Sequence, residues 1–328
     1  MSQAAWRNIS IGVSGFIVLG LGALVIANPG KIFFSWTFFF EVLIGGLLAG
    51  TLYSLVALGF VLIFKASGVF NFAQGAMTLF AALSLVRLIE ITNSILLSMA
   101  LTVVIMMALA YVIERLVLRP LVNQDVIIMF MATIGMTFLI DGFGQLVWGS
   151  DVYPLNLGIP QDPFEVQGVL LNQFDLVAGA VAALLVAVLA VFFQKTRIGR
   201  ALRAVADDNQ AALSVGIPLR HIWFIVWTVS GLVALVAGIM WGTKSGVQFS
   251  LALIALKALP VLILGGLTSI PGAIIGGLIV GAGEKLAEVF IGPLFGGAIE
   301  NWFAYVLALL FLLFRPQGLF GEKIIERV

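Results

Sequence analysis

The chain has 328 residues, 62% of them hydrophobic and 10% charged, with a formal net charge of +1 and a mean hydropathy of +1.16, far more apolar than a water-soluble domain. Near-neutrality offers no basic surface to a nucleic acid. With no cysteine there is no disulfide or thiolate ligand, and one histidine, His221, makes no imidazole set for a metal. What remains is a membrane protein whose chemistry rests on carboxylates, amides and hydroxyls, with nothing to indicate a cofactor.

In chain order, Arg7 precedes about 19 mostly apolar positions, longer than the roughly 7 to 15 of a signal peptide, so 9–27 reads as a retained first span. A helical span needs about 20 apolar residues. That ruler marks about ten segments: 9–27, 42–64, 69–89, 93–116, 126–149, 173–193, 221–243, 251–267, 272–290 and 299–314. The third and eighth are interrupted by glycine, proline or polar residues. The expected fold is an all-α polytopic transmembrane helix bundle, about eight to ten spans in a single domain over 1–328. Basic loops stay cytoplasmic. Arg7, Arg115 with Arg119, the cluster Lys195, Arg197, Arg200, Arg203 and Arg220, and the tail Arg315, Lys323 and Arg327 all fall on one side. The connection 150–172 carries Asp151, Asp162 and Glu165 and no base, as an extracytoplasmic loop should. Lys31 and Lys244 run against the trend. Both termini are then cytoplasmic.

Two of the segments are broken. "GVFNFAQGAM" (68–77) places Gly68, Asn71, Gln74 and Gly75 where a lipid-facing helix would carry leucine. Backbone that leaves the helix in hydrocarbon must be buried in protein or line a wet cavity. This stretch is therefore expected to be a broken helix beside a translocation path, with interhelical hydrogen bonding as the competing role for its amides. "GGLTSIPGAIIGG" breaks a later segment at Gly265, Gly266, Pro271 and Gly272, and a pair of interrupted helices points to a transport route. Gly46 with Gly50, Gly272 with Gly276, and Gly277 with Gly281 have the G-x-x-x-G spacing of close helix packing.

Charges within spans are costly and face the interior or water. Asp141 and Gln145, in "TFLIDGFGQLVWG", and Lys257, in "LALIALKALPVLIL", are expected near the path, Asp141 and Lys257 as a pair. The alternative is that Lys257 snorkels and Asp141 caps a kinked helix. Glu284 and Glu288 stand at i and i+4, where mutual repulsion favours exposure to water. Glu114 beside Arg115 reads as a solvated interface. Trp6, Trp36, Trp148, Trp223 and Trp302 read as interfacial anchors, His221 as interfacial, and Met129, Met131 and Met136 as packing residues.

The cytoplasmic connection at 196–219, within "KTRIGRALRAVADDNQAALSVGIPLR", is no floppy linker. Leu202, Val205, Asn209 and Leu213 recur at helical spacing beside a polar stripe of Arg203, Asp207, Gln210 and Ser214. Asp207 followed by Gln210 resembles a capping box, and Gly216 with Pro218 ends the run. Two short helices are expected, the second nearly parallel to the membrane. They either meet a soluble partner or pack on their own bundle.

"GRALRAVADDNQAALSVGIPLRHIWFIVWTVSGLVALVAGIMWG" resembles the segment of branched-chain amino acid ABC permeases of the LivH type that contains their ATPase-contacting helix. "LYSLVALGFVLIFKASGVFNFAQGAM" is similar to the family's early A-L-G helix and N-F-A-H-G stretch, "ALKALPVLILGGLTSIPGAIIGGLIVGAGEKL" to its late G-G-x-G-S-I-x-G-A segment, and "RPQGLFG" to its tail. Together they cover roughly 42–322. Gln74 stands for the family's usual histidine, Ala76 for a polar residue, and Thr268 for a glycine.

The resemblance implies a permease subunit in the bacterial inner membrane, paired with a second related permease, two cytoplasmic ABC ATPase subunits and an extracytoplasmic solute-binding protein, and surrounded by membrane lipid. It assigns Arg200, Arg203, Asp207, Asp208, Asn209, Ala212, Leu213 and Gly216 to ATPase coupling. It implies import of branched-chain amino acids or a related small polar solute. The chain has no G-x-x-x-x-G-K-[ST] phosphate loop, so it is expected to be no enzyme itself. The alternative is a self-sufficient channel for urea or a small neutral amide.

Overall fold

A computed structural model describes residues 34–121, 124–207 and 209–321. The expected first span, Trp6, Arg7, Lys31, Asp208, Lys323 and Arg327 lie outside these residues. Helices dominate because apolar backbone in lipid must satisfy its own hydrogen bonds. Six are long and apolar enough to cross a membrane: α1 (Trp36–Ser67), α2 (Gln74–Thr92), α3 with its extension (Ile95–Leu121), α4 (Val126–Trp148), α5 (Gln173–Lys195) and α8 (Leu219–Ser245). They coincide with six of the predicted segments. Helix α3 proper is Ile95–Val112 and runs on through a π-helical turn, Ile113–Leu118. Between α4 and α5 a hairpin, β1 (Pro163–Val166) and β2 (Val169–Asn172), turns at Gln167 and Gly168. Both turn residues have positive φ, the backbone a two-residue hairpin requires. Two short helices, α6 (Arg197–Asp207) and α7 (Asn209–Ser214), precede α8.

Predicted segments 251–267 and 272–290 form a pair bent by 114°. A 3₁₀ turn leads into α9 (Ile254–Gly265), and α10 (Ile270–Phe290) follows. The Ser269 hydroxyl caps α10 by accepting from the Gly272 N–H, with Pro271 in the first turn where its missing donor costs nothing. After the single turn α11 (Gly292–Phe295) comes α12 (Glu300–Phe314). Its 15 residues reach about 22 Å at about 1.5 Å each, short of a hydrocarbon core of about 30 Å.

The described residues fall into two compact units, one drawn from those within 34–54, 160–179 and 257–321, the other from those within 55–159 and 180–256. In the first, glycines bring backbones into contact. A Cβ on Gly50 would sit 2.3 Å from the Gly277 carbonyl oxygen, and one on Gly281 would sit 2.4 Å from the Gly50 Cα. The α1–α10 seam is thus the close packing that the G-x-x-x-G spacing predicts. Gly265 meets Gly272 in the same way across the bend. The last carbonyls of α9 are satisfied by the chain's end: the Leu319 N–H donates to Leu264 O (2.8 Å) and the Phe320 N–H to Gly265 O (3.1 Å).

In the second unit α2 is central, packed on α3, α4 and α8. Thirteen successive residues, Gln74 to Val86, are buried. A helix covered on all sides needs no lipid-facing stripe, which is why this segment reads as a weak span and can hold Gln74, Thr78 and Ser84. Two expectations are corrected here. Trp223 is buried, a core residue of α8 rather than an interfacial anchor. Glu114 is also buried, in the π-helical turn whose wider register carries it inward from the solvated position expected.

Candidate functional site

The first break lies deep in the second unit. Helix α1 stops at Ser67, Gly68 takes φ +68°, and α2 begins at Gln74. Side chains satisfy part of the freed backbone: the Thr133 hydroxyl of α4 accepts from the Phe72 N–H (3.2 Å) and lies 3.1 Å from Phe70 O. The Asn71 Oδ1 accepts from the Ala73 N–H (3.1 Å) and closes the turn into α2. Gln74 reaches between helices. The Ser230 hydroxyl of α8 lies 2.8 Å from the Gln74 Oε1 and 3.1 Å from Gly59 O of α1. A Cβ at Gly59 would fall 1.9 Å from the Gln74 amide nitrogen, so a larger residue there would displace the amide from this position. Asn71 and Gln74 are wholly buried, and their amides are engaged by the fold. Gly75 meets the Ala252 carbonyl, where a Cβ would stand 2.1 Å away.

Thr133→Val is expected to leave the Phe72 N–H unpaired and to destabilise the second unit by about 1–3 kcal/mol, whereas Thr133→Ser keeps the hydroxyl. Melting of the purified variants checks this, and equal losses for both would show that the hydroxyl is immaterial.

Lys257 and the later carboxylates come together in the first unit. The Lys257 Nζ donates to the Glu284 Oε1 (2.9 Å) and lies 3.6 Å from the Glu300 Oε1, while the Lys285 Nζ donates to the Glu300 Oε2 (3.1 Å). The Tyr53 hydroxyl donates to the same Glu284 Oε1 (2.9 Å). Glu284 and Glu300, rather than Asp141, are therefore the ion-pair partners of Lys257. The expectation that Glu284 lies in water is also corrected, whereas Glu288 is partly exposed. Glu284 is 1% exposed, which it can be because Lys257 neutralises it. Glu288 turns away to accept from the Ala298 N–H (2.8 Å) and the Glu300 N–H (2.9 Å). It thereby caps a reversal in which Gly296, Gly297 and Ala298 all have positive φ.

On α4, Asp141 is half-buried, its Oδ1 covered and without a hydrogen-bond partner among the described residues, and Gln145 one turn on is exposed. The structure joins Asn71 and Gln74 to one hydrogen-bonded core and Lys257 to a separate ionic chain. Thr133, Ser230, Tyr53 and Glu300 were not legible as participants. Their one signal was a polar side chain within or at the end of an apolar run.

The cytoplasmic segment forms the two expected helices. Its junction with α5 is stiff. The Arg203 guanidinium donates to Phe193 O (3.0 Å), the Gly199 N–H donates to the Thr196 hydroxyl (3.0 Å), and a Cβ on Gly199 would strike Phe193 O at 2.2 Å. Leu202, Val205 and Ala212 are buried; Arg200, Arg203, Leu213 and Val215 are exposed. Gly216, at φ +83°, ends α7. One face is seated on the protein and the other is open.

A family model described as "Branched-chain amino acid transport system / permease component" matches residues 42–315. The chain belongs to this permease family. Relatives include the high-affinity branched-chain amino acid transport system permease protein BraD of Pseudomonas aeruginosa, 29% identical over 88% of this chain and 98% of that one. The protein LivH of Salmonella typhimurium, also called a high-affinity branched-chain amino acid transport system permease, is 29% identical over 90% and 99%. A probable branched-chain amino acid transport permease LivH of Methanocaldococcus jannaschii is 29% identical over 85% and 92%. The permease is a multi-pass inner-membrane transport subunit, not an enzyme, and the self-sufficient channel finds no support among these relatives.

Proposed function

We propose that this permease is one of a pair of related membrane subunits in an ATP-driven importer of branched-chain amino acids. Two cytoplasmic ABC ATPases supply the energy, an extracytoplasmic binding protein delivers the solute, and both termini lie in the cytoplasm. The observation that carries this reading is the two-faced segment α6–α7. A helix pair seated through Leu202, Val205 and Ala212 while Leu213 and Val215 stand in the open has a surface left for a motor. The rigid junction at Phe193 would pass a push on α6 directly into α5. Arg200, Arg203, Asp207, Asp208, Asn209 and Gly216 belong to the same coupling segment, with Ala212 setting its depth. Family membership supports the solute class, and the open ends of the ionic chain at Lys257, Lys285 and Glu300 support a polar cargo.

Sealed vesicles that contain the permease with its ATPase partners, supplied with the binding protein outside and ATP inside, are expected to accumulate leucine, isoleucine and valine. Without ATP they should accumulate none. Equal uptake without ATP would return the channel reading, and accumulation of a different solute alone would overturn the assigned cargo.

A further inference from the structure

The ionic chain in the first unit alternates in sign from Glu284 to Lys257 to Glu300 to Lys285. Its inner end is unbalanced in a specific way. The Glu284 Oε1 accepts from two donors, Lys257 and Tyr53, while its Oε2 is buried with no hydrogen-bond partner among the described residues. An orphaned buried carboxylate oxygen calls for a donor. Lys257, by contrast, keeps a quarter of its side chain exposed (26%), so the pair is sealed on the carboxylate side and not on the lysine side.

We propose that Lys257 and Glu284 form a receptor for a zwitterionic amino acid, which enters by exchanging ion pairs. This rests on the importer reading above. The solute's ammonium takes the unpaired Glu284 Oε2, which is buried and becomes reachable as Lys257 turns from Glu284 to the solute's carboxylate, and Tyr53 holds the Glu284 Oε1 throughout. Removing one partner of a buried ion pair leaves an uncompensated charge, which is strongly unfavourable. A neutral amide that parts Lys257 from Glu284 would leave Glu284 without a counter-ion and Lys257 with only the more distant Glu300 (3.6 Å); an amine alone would leave Lys257 so, and a carboxylate alone would leave Glu284 bare. Only a molecule that carries an ammonium and a carboxylate on one carbon, as an α-amino acid does, gives both groups a close partner again. The site therefore selects against half-charged analogues by the pairing it denies them, separately from any choice made by a binding protein.

The test uses the membrane assembly that co-purifies with the full-length permease, in nanodiscs and without binding protein. Equilibrium binding is measured for L-leucine, for 3-methylbutylamine, which lacks its carboxylate, and for 4-methylpentanoate, which lacks its ammonium. The wild type is expected to bind leucine at least tenfold more tightly than either analogue. Glu284→Gln should shift preference to 4-methylpentanoate and Lys257→Gln to 3-methylbutylamine, a reversal that a merely structural ion pair would not produce. Tyr53→Phe, which removes one donor from Glu284, should tighten leucine and the amine severalfold and leave the carboxylate unchanged. An unaltered order of preference in assembled Glu284→Gln and Lys257→Gln would overturn the receptor. So would a wild type without preference, or an unchanged Tyr53→Phe if the other two fail to assemble. Failure of the complete transporter to import any amino acid would instead overturn the importer reading, and the receptor with it.

Discussion

Gly281→Leu is expected to destabilise the permease by forcing two helices apart. A side chain there begins 2.4 Å from the Gly50 Cα and N and 2.5 Å from Gly46 O. All three are backbone atoms of a helix, which cannot rotate aside as a side chain could. The seam must open along its length, and that also disturbs Ser54, whose hydroxyl lies 2.9 Å from Gly50 O and 3.3 Å from Ile274 O. Overpacking costs about 1–3 kcal/mol where neighbours can adjust; with rigid neighbours the upper end applies, a fall in melting temperature of about 4 °C for a chain of this size. Gly45→Ala, beside Gly46 in sequence but at a position with nothing within 4 Å, is the control. It should be neutral or stabilising by up to about 1 kcal/mol. Size-exclusion yield and melting in detergent report both, and an unchanged melting temperature for Gly281→Leu would show that the seam has room to spare.

The second large effect is functional. Leu213 and Val215 are 51% and 74% exposed, so changing both to aspartate should leave stability within about 0.5 kcal/mol. If a motor subunit grips this face, each apolar anchor removed from the centre of the interface weakens it by about 2 kcal/mol, or roughly thirtyfold in binding. The double variant is expected to lose its co-purifying ATPase and ATP-driven leucine uptake by more than a hundredfold, at native melting temperature. Retention of both would place the grip elsewhere on the chain.

Hydropathy made the spans legible, because a bilayer imposes one length and one polarity on every crossing helix. The G-x-x-x-G seam was legible for a similar reason: spacing alone puts glycines on one face. Partnership was not. Lys257 and Glu284 are 27 residues apart, and nothing in either segment says that the bend at 114° belongs to helices that share an ion pair. Glu284 and Glu288 read as a repelling pair because one helix was all the sequence displayed. In the folded chain each meets a different donor set, an ammonium with a phenol for one and two backbone N–H groups for the other. The amides at 71 and 74 were legible as unusual, but their hydrogen-bonding role was hidden, since Thr133, Ser230 and Gly59 lie on three other helices. The hairpin at 163–172 escaped notice because Gln167 carries the positive φ that asparagine or glycine would have advertised.

The pinning of Leu319 and Phe320 to the end of α9 has a consequence for synthesis. The carbonyls of Leu264 and Gly265 receive these donors only after about 55 further residues have been made. Until those donors emerge, the elbow between α9 and α10 keeps acceptors that lipid cannot satisfy, and a nascent chain halted just before Gly318 is a natural target for membrane quality control.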